Sequence, residues 1–148
     1  MEVILYNPQI PSNTGNVIRT CAVTGSALGL VPPMGFRLSD RLAKRAGLDY
    51  WKEVPLNYID DLDTYIQESK RRPLFFSSKA TKFYTEVSYN KDDLLIFGSE
   101  TDGLPDAIHE TYSDNFYTIP MVEGARCLNL SNSVAIVLYE ALRQQKFL

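Results

Sequence analysis

The chain has 148 residues, 45% of them apolar and 22% charged, with a formal net charge of −3, which predicts one ordinary soluble globular domain over residues 1–148. No stretch approaches the ~20 apolar residues of a membrane span, and Met1–Tyr6 lacks the basic start and long apolar run of a signal peptide. One histidine, His109, and two distant cysteines, Cys21 and Cys127, exclude a His-rich zinc site and make a Ser-His-Asp triad improbable; the expected setting is reducing and cytoplasmic.

In chain order, Glu2–Tyr6 reads as a strand. Thr14–Thr24 reads as a helix with Val17, Ile18 and Cys21 on one face, stopped by Gly25. Ala27–Val31 is a short strand ended by Pro32-Pro33, Ser39–Ala46 a helix, and Tyr50–Val54 a strand. Asp61–Lys70 reads as a helix. Leu74–Ser78 and Leu94–Gly98 are apolar runs bounded by polar loops, as buried parallel strands are. Pro105–Tyr112 is a short helix holding His109, read as a surface residue. Phe116–Ile119 is a strand and Asn132–Gln145 the last helix, with Val134, Val137, Leu138, Ala141 and Leu142 at core-facing spacing. Alternation of β and α elements predicts a parallel sheet with helices on both faces.

Acidity argues mildly against a nucleic-acid partner, but distribution matters more than the sum. Arg37, Arg41, Lys44 and Arg45 form the better candidate for RNA contact. Lys70, Arg71 and Arg72 follow a helix pattern, where cations suit the dipole, and Lys79 and Lys82 bracket a short loop.

Ligands of a parallel sheet collect where strands end. Three loops there carry more hydrogen-bonding groups than turns need. They are Asn13-Thr14-Gly15-Asn16 leading to Arg19, Gly98-Ser99-Glu100-Thr101-Asp102-Gly103-Leu104-Pro105, and Ile119–Ser133. The last packs Asn129, Ser131, Asn132 and Ser133 before an apolar helix, where Ser131 or Asn132 alone suffices as a cap. The glycine opening the second loop lets a ligand approach the backbone. No Gly-x-Gly-x-x-Gly, Gly-Lys-Ser/Thr or Gly-x-Ser-x-Gly motif is present, so dehydrogenase, P-loop and α/β-hydrolase readings lose support.

The patterns Asn13-Thr14-Gly15-Asn16-x-x-Arg19, Gly98-x-Glu100-x-x-Gly103-Leu104-Pro105, and Ile119-Pro120-Met121 with Arg126-x-Leu128-Asn129-Leu130-Ser131-Asn132-Ser133-Val134-Ala135 resemble the three motifs of the SPOUT methyltransferases. The closest resemblance is to minimal tRNA (cytidine/uridine) ribose 2′-O-methyltransferases acting at the anticodon wobble nucleotide, and it covers nearly the whole chain. Arg45-Ala46-Gly47-Leu48-Asp49-Tyr50 and Tyr139-Glu140-Ala141-Leu142-Arg143-Gln144 also match that subgroup.

The resemblance implies a C-terminal trefoil knot, which ordinary connection rules would reject. It also implies bound S-adenosylmethionine, a homodimer whose two chains complete a tRNA site, and no metal. Carried over by position, Phe76, Ser77, Gly98, Glu100, Ile119, Met121, Cys127 and Leu128 line the cofactor pocket, and Asn13, Arg19, Ser131 and Asn132 face the reacting ribose. The family mechanism gives Arg19 proton removal; since an unperturbed guanidinium is a poor base at pH 7, the favoured role is to orient the 2′-hydroxyl and its phosphate and stabilise the developing oxyanion, with proton removal by Arg19 itself as the alternative. Ser131 and Asn132 hold Arg19 or the ribose. Three departures stand out. Ser99 replaces the usual proline, Cys127 replaces a common serine, and Asp102 puts an acid beside an anionic partner. Rival readings are a catalytically idle RNA-binding module of the same fold, a methyltransferase of another RNA, and an α/β enzyme acting on a small molecule.

Overall fold

The computed structural model describes residues 1–36 and 54–147. The basic cluster Arg37, Arg41, Lys44 and Arg45, the predicted helix Ser39–Ala46, and most of the predicted strand Tyr50–Val54 lie outside the described residues.

The strands are β1 (Glu2–Tyr6), β2 (Ala27–Val31), β3 (Leu56–Tyr58), β4 (Pro73–Phe76), β5 (Lys82–Phe83), β6 (Leu94–Phe97) and β7 (Phe116–Thr118). Among the described residues they form one seven-stranded sheet in the order β3-β2-β1-β6-β4-β7-β5. Every pairing is parallel. Central strands are buried on both faces, which is why β1, β4 and β6 read as apolar runs rather than alternations.

Among the described residues the α-helices are α1 (Pro11–Thr24), α2 (Leu62–Ser69), α3 (Asp106–Thr111) and α4 (Leu130–Gln144). Helices α1 and α4 supply Val17, Ile18, Val134, Val137 and Leu138 to a core against Val3, Leu5, Leu28 and Leu95. Helices α2 and α3 bury Leu62, Ile66 and Ile108 on the opposite face, against Ile4, Phe75 and Ile96. The expected two-sided α/β arrangement is therefore present. Phe75 stacks on Phe116 with ring centroids 4.9 Å apart, tying β4 to β7.

Several boundaries differ from expectation for identifiable reasons. Helix α1 begins at Pro11, three residues before Thr14, because proline suits the first helical position. Its end is as expected: Gly25 takes φ +65° and closes a left-handed cap. Helix α4 begins at Leu130, and its cap is Asn129, whose side chain accepts from the Ser131 N–H; neither Ser131 nor Asn132 caps it. Strand β3 and the two-residue edge strand β5 carry too few residues to show a period.

Arg71 and Arg72 are structural, though not through a helix dipole. Both reach the N-terminal edge of the sheet. There Arg71 pairs with the buried carboxylate of Glu2, which also accepts from Tyr65 Oη and Asn57 Nδ2, each at 2.8 Å. Arg72 forks onto buried Asp93 at 2.9 and 2.7 Å. Removing the arginine of such a pair leaves a buried carboxylate without its cation, at a cost below the about 3–5 kcal/mol of a fully buried pair because the arginines are partly exposed. The charged edge is thus committed to holding β1, β4 and β6, and the opposite edge is left for function.

Candidate functional site

The C-terminal ends of β4, β6 and β7 and the start of α4 enclose a cleft of about 520 Å³, within the usual range of small-molecule sites. Phe76 and Ser77 arrive from β4, Gly98 and Glu100 from β6, Ile119 and Met121 from β7, and Cys127 and Leu128 from the segment before α4. All eight residues placed in a cofactor pocket by the motifs line this one cleft, and Asn13 lines it too. Met121 and Leu128 remain exposed, and with Phe76, Phe97, Leu104 and Ile119 they give the cleft apolar walls.

Arg19, Ser131 and Asn132 are not among the cleft-lining residues. Arg19 is exposed on α1, six residues from Asn13, which at 1.5 Å per residue is roughly 9 Å along the axis and about 120° around it. Ser131 is buried at the first turn of α4, where its hydroxyl donates to Asn129 Oδ1 at 2.7 Å. Asn132 is exposed.

The β6–α3 loop explains Gly98 differently from the expectation that a ligand needs its bare backbone. The loop folds back on itself through paired Ser99–Gly103 backbone bonds, both 3.1 Å. A Cβ at Gly98 would lie 2.3 Å from the Gly103 carbonyl carbon and 2.6 Å from the Leu104 nitrogen. The chain's own backbone therefore requires glycine. Ser99, at the position where proline is usual, accepts from the Asp102 N–H at 3.0 Å and closes the turn. The Asp102 carboxylate is engaged by the Thr101 hydroxyl at 2.9 Å.

Glu100 lines the cleft, yet its carboxylate turns toward the start of α1. It accepts from Gln9 N at 2.8 Å, Ile10 N at 3.2 Å and Asn13 Nδ2 at 2.9 Å. This supplies the cap that Ile10, the residue before α1, cannot make with its own side chain. Asn13 Oδ1 in turn accepts from Asn129 Nδ2 at 2.8 Å. The three motif segments are thereby joined in one hydrogen-bonded line.

Sequence reasoning missed His109 and Lys79 as cleft residues. His109 is half-buried, stacking on Phe116 with centroids 4.0 Å apart, so it is not a plain surface residue. Desolvation, then the Lys79 charge, lower its pKa from the ordinary 6.5. Its signal was faint: it neighbours Ile108 on a one-and-a-half-turn helix that starts beside a strand end. Cys127 is exposed, with Sγ 3.4 Å from Ser78 Oγ. Cys21 is buried and its thiol is pushed up to about 12 by burial, which leaves it inert. Among the described residues no group of three or more His, Cys, Asp or Glu side chains could hold a metal ion, and no helix is long and apolar enough to cross a membrane.

A parallel α/β sheet with a partly apolar cleft at its strand ends, walled by three loops, defines an α/β protein built to hold a small ligand. The chain belongs to the SpoU rRNA methylase family, whose model matches residues 1–139. It is 46% identical over 150 residues to the tRNA (cytidine(34)-2'-O)-methyltransferase of Saccharophagus degradans, covering 99% of this chain and 96% of that protein. Identity to the enzyme of the same name from Methylovorus glucosotrophus is 40% over 148 residues, covering 99% and 96%. A solved structure described for 2-OH methylation of C/U34 on tRNA superposes with a TM-score of 0.90 at 38% identity, covering 98% of this chain and 95% of that one.

Proposed function

We propose that this protein is an S-adenosylmethionine-dependent methyltransferase that modifies the ribose 2′-hydroxyl of the tRNA wobble nucleotide, cytidine or modified uridine. The carrying observation is the convergence of all three motif segments on one cleft. Full-length identity to relatives named for cytidine(34) methylation supports the substrate.

The cleft fits the cofactor by shape and chemistry. Phe76, Phe97, Leu104, Ile119 and Leu128 offer apolar walls to a flat base, and the backbone groups of the 98–100, 119–121 and 127–128 segments offer polar recognition. When bound, S-adenosylmethionine supplies an electrophilic sulfonium methyl. The chain's own work is then orientation and charge stabilisation. Asn13 is assigned to the reacting ribose, and Ser131, whose hydroxyl and N–H both bond Asn129 of its own segment, to holding Arg19 or the ribose. Asn132 is assigned to the ribose edge. Arg19 orients the 2′-hydroxyl and its phosphate and stabilises the oxyanion. A planar fork does this in a way a point ammonium does not.

The reading includes a homodimer, which the exposed apolar residues Val23 on α1 and Ile136 and Tyr139 on α4 support. These helices share one sheet face, and Arg19 lies off the cleft of its own chain, so the partner's copy is assigned to complete each site. It includes a C-terminal trefoil knot. Supporting it, β6 inserts between β1 and β4 although β5 precedes it, and after β7 the chain returns to place α4 against α1. It includes a cytoplasmic location, a single domain over 1–148, and no metal.

The test is methyl transfer from labelled cofactor to total tRNA, with nucleoside mapping. A 2′-O-methylated wobble nucleotide is expected. Cofactor binding without any tRNA methylation would favour an idle RNA-binding module or another substrate and overturn the proposal.

A further inference from the structure

The line that joins the three motif segments has a fixed chemical polarity. At one end the Ser131 backbone N–H can only donate, so Asn129 must present Oδ1 to it, at 2.9 Å. Asn129 then directs Nδ2 at Asn13, which must present Oδ1, at 2.8 Å. Asn13 directs Nδ2 at Glu100, whose ionised carboxylate can only accept, at 2.9 Å. Both amide orientations are thus dictated by the two ends rather than chosen. Glu100 meanwhile receives Gln9 N and Ile10 N, so three donors converge on its two oxygens.

We propose that Glu100 is a positioning residue: through Asn13 and Asn129 its negative charge orients the amides that lock both walls of the cofactor cleft to the start of α1. One wall is the 98–104 loop, the other the 127–130 segment. The inference deepens the methyltransferase reading and rests on it. It assigns Glu100 a task that its placement among cofactor-lining residues does not, and it moves Asn13 from ribose contact to loop registration.

The polarity makes a swap experiment possible. Glu100→Gln puts an NH2 where an acceptor stood. If that NH2 faces Asn13, the amides at 13 and 129 must flip in series, and the last then presents a donor to the Ser131 N–H. If it faces the Gln9 N–H, donor meets donor directly. Asn13→Asp alone sets two carboxylates 2.9 Å apart, the present Nδ2–Oε1 spacing. Combining the two restores the match between positions 129, 13 and 100: the carboxylate now at position 13 accepts from Asn129 on one side and from the new amide at position 100 on the other, while the Ile10 N–H, which shared Oε1 with Asn13, loses its acceptor. Net charge stays that of the wild type.

Calorimetric titration of S-adenosylmethionine into wild type, both single variants and the double variant tests this, with melting temperature followed alongside. Each single substitution is expected to weaken cofactor binding by about tenfold or more, the scale of one unsatisfied buried polar group. The double variant is expected to bind the cofactor more tightly than either single variant, yet short of wild type because the Ile10 N–H stays unmatched. Single-turnover methylation then separates positioning from transfer: for Glu100→Gln the loss in apparent cofactor affinity is expected to exceed the loss in rate at saturating cofactor, because the defect lies in forming the cleft. Losses that add in the double variant, or singles that bind like wild type, overturn the relay. Failure of the wild-type protein to bind the cofactor at all would instead sink the methyltransferase reading, and the two failures are distinguishable.

Discussion

Replacing Gly98 by alanine separates a backbone constraint from a ligand constraint. The added methyl would sit 2.3 Å from the Gly103 carbonyl carbon and 2.7 Å from its oxygen. Both neighbours are backbone, so no side chain can swing aside. The loop must open, which strains or breaks the two Ser99–Gly103 bonds of 3.1 Å. Overpacking of this kind costs about 1–3 kcal/mol, and two lost backbone bonds add about 1 kcal/mol each. The sum, roughly 3–5 kcal/mol, lowers the melting temperature of a domain this size by on the order of 6–20 °C. Gly124→Ala is the matched control: Gly124 has φ +75° with nothing within 4 Å of a Cβ. It should cost only the left-handed backbone term, about 1–2 kcal/mol. Scanning calorimetry reads the stability, and S-adenosylmethionine titration should show weakened binding for Gly98→Ala alone, because its loop forms a cleft wall. If Gly98→Ala melts no lower than Gly124→Ala, the claim that the chain's own backbone demands this glycine is wrong.

Arg19→Ala should bind cofactor and melt near wild type, yet lose roughly 10²-fold or more in single-turnover rate, the effect of removing one oxyanion donor. Arg19→Lys should not fully rescue it, and wild-type turnover by either variant would remove Arg19 from the mechanism. Co-assembled with Gly98→Ala chains, Arg19→Ala chains should regain turnover in mixed dimers; no recovery would argue against a site shared between partners. Glu140 gives a pH prediction. Hydrogen bonds from Arg143 and Gln144, the first at 2.7 Å, hold its carboxyl down at about 2 against an ordinary 4.5. A folded pKa below the unfolded one stabilises the protein above about pH 4.5 and loses that contribution as pH falls toward 2. Melting curves for wild type and Glu140→Gln should therefore converge on acidification through that window, and parallel curves would contradict the assignment.

Periodicity and punctuation were enough to determine the α/β class, the exact bounds of β1 and β2, the Gly25 stop of α1, and the apolar stripe of α4. Each depends on local chemistry: a run buried on both faces, a residue that tolerates positive φ, a repeat near 3.6. The motifs determined which loops belong together, and the cleft collects all eight residues assigned to a cofactor pocket. Other features depended on distant partners. Asn129, not Ser131 or Asn132, caps α4 because its amide is oriented by Asn13, 116 positions away in the chain. Glu100 turns from the cleft to α1 because the uncapped N–H groups there compete for its charge. Arg71 and Arg72 became structural because Glu2 and Asp93 bury their carboxylates at the sheet edge. His109 entered the cleft because α3 packs beside β7, where Phe116 offers it a ring. A local pattern says which groups a segment must satisfy, but only the packed sheet decides which segment satisfies them.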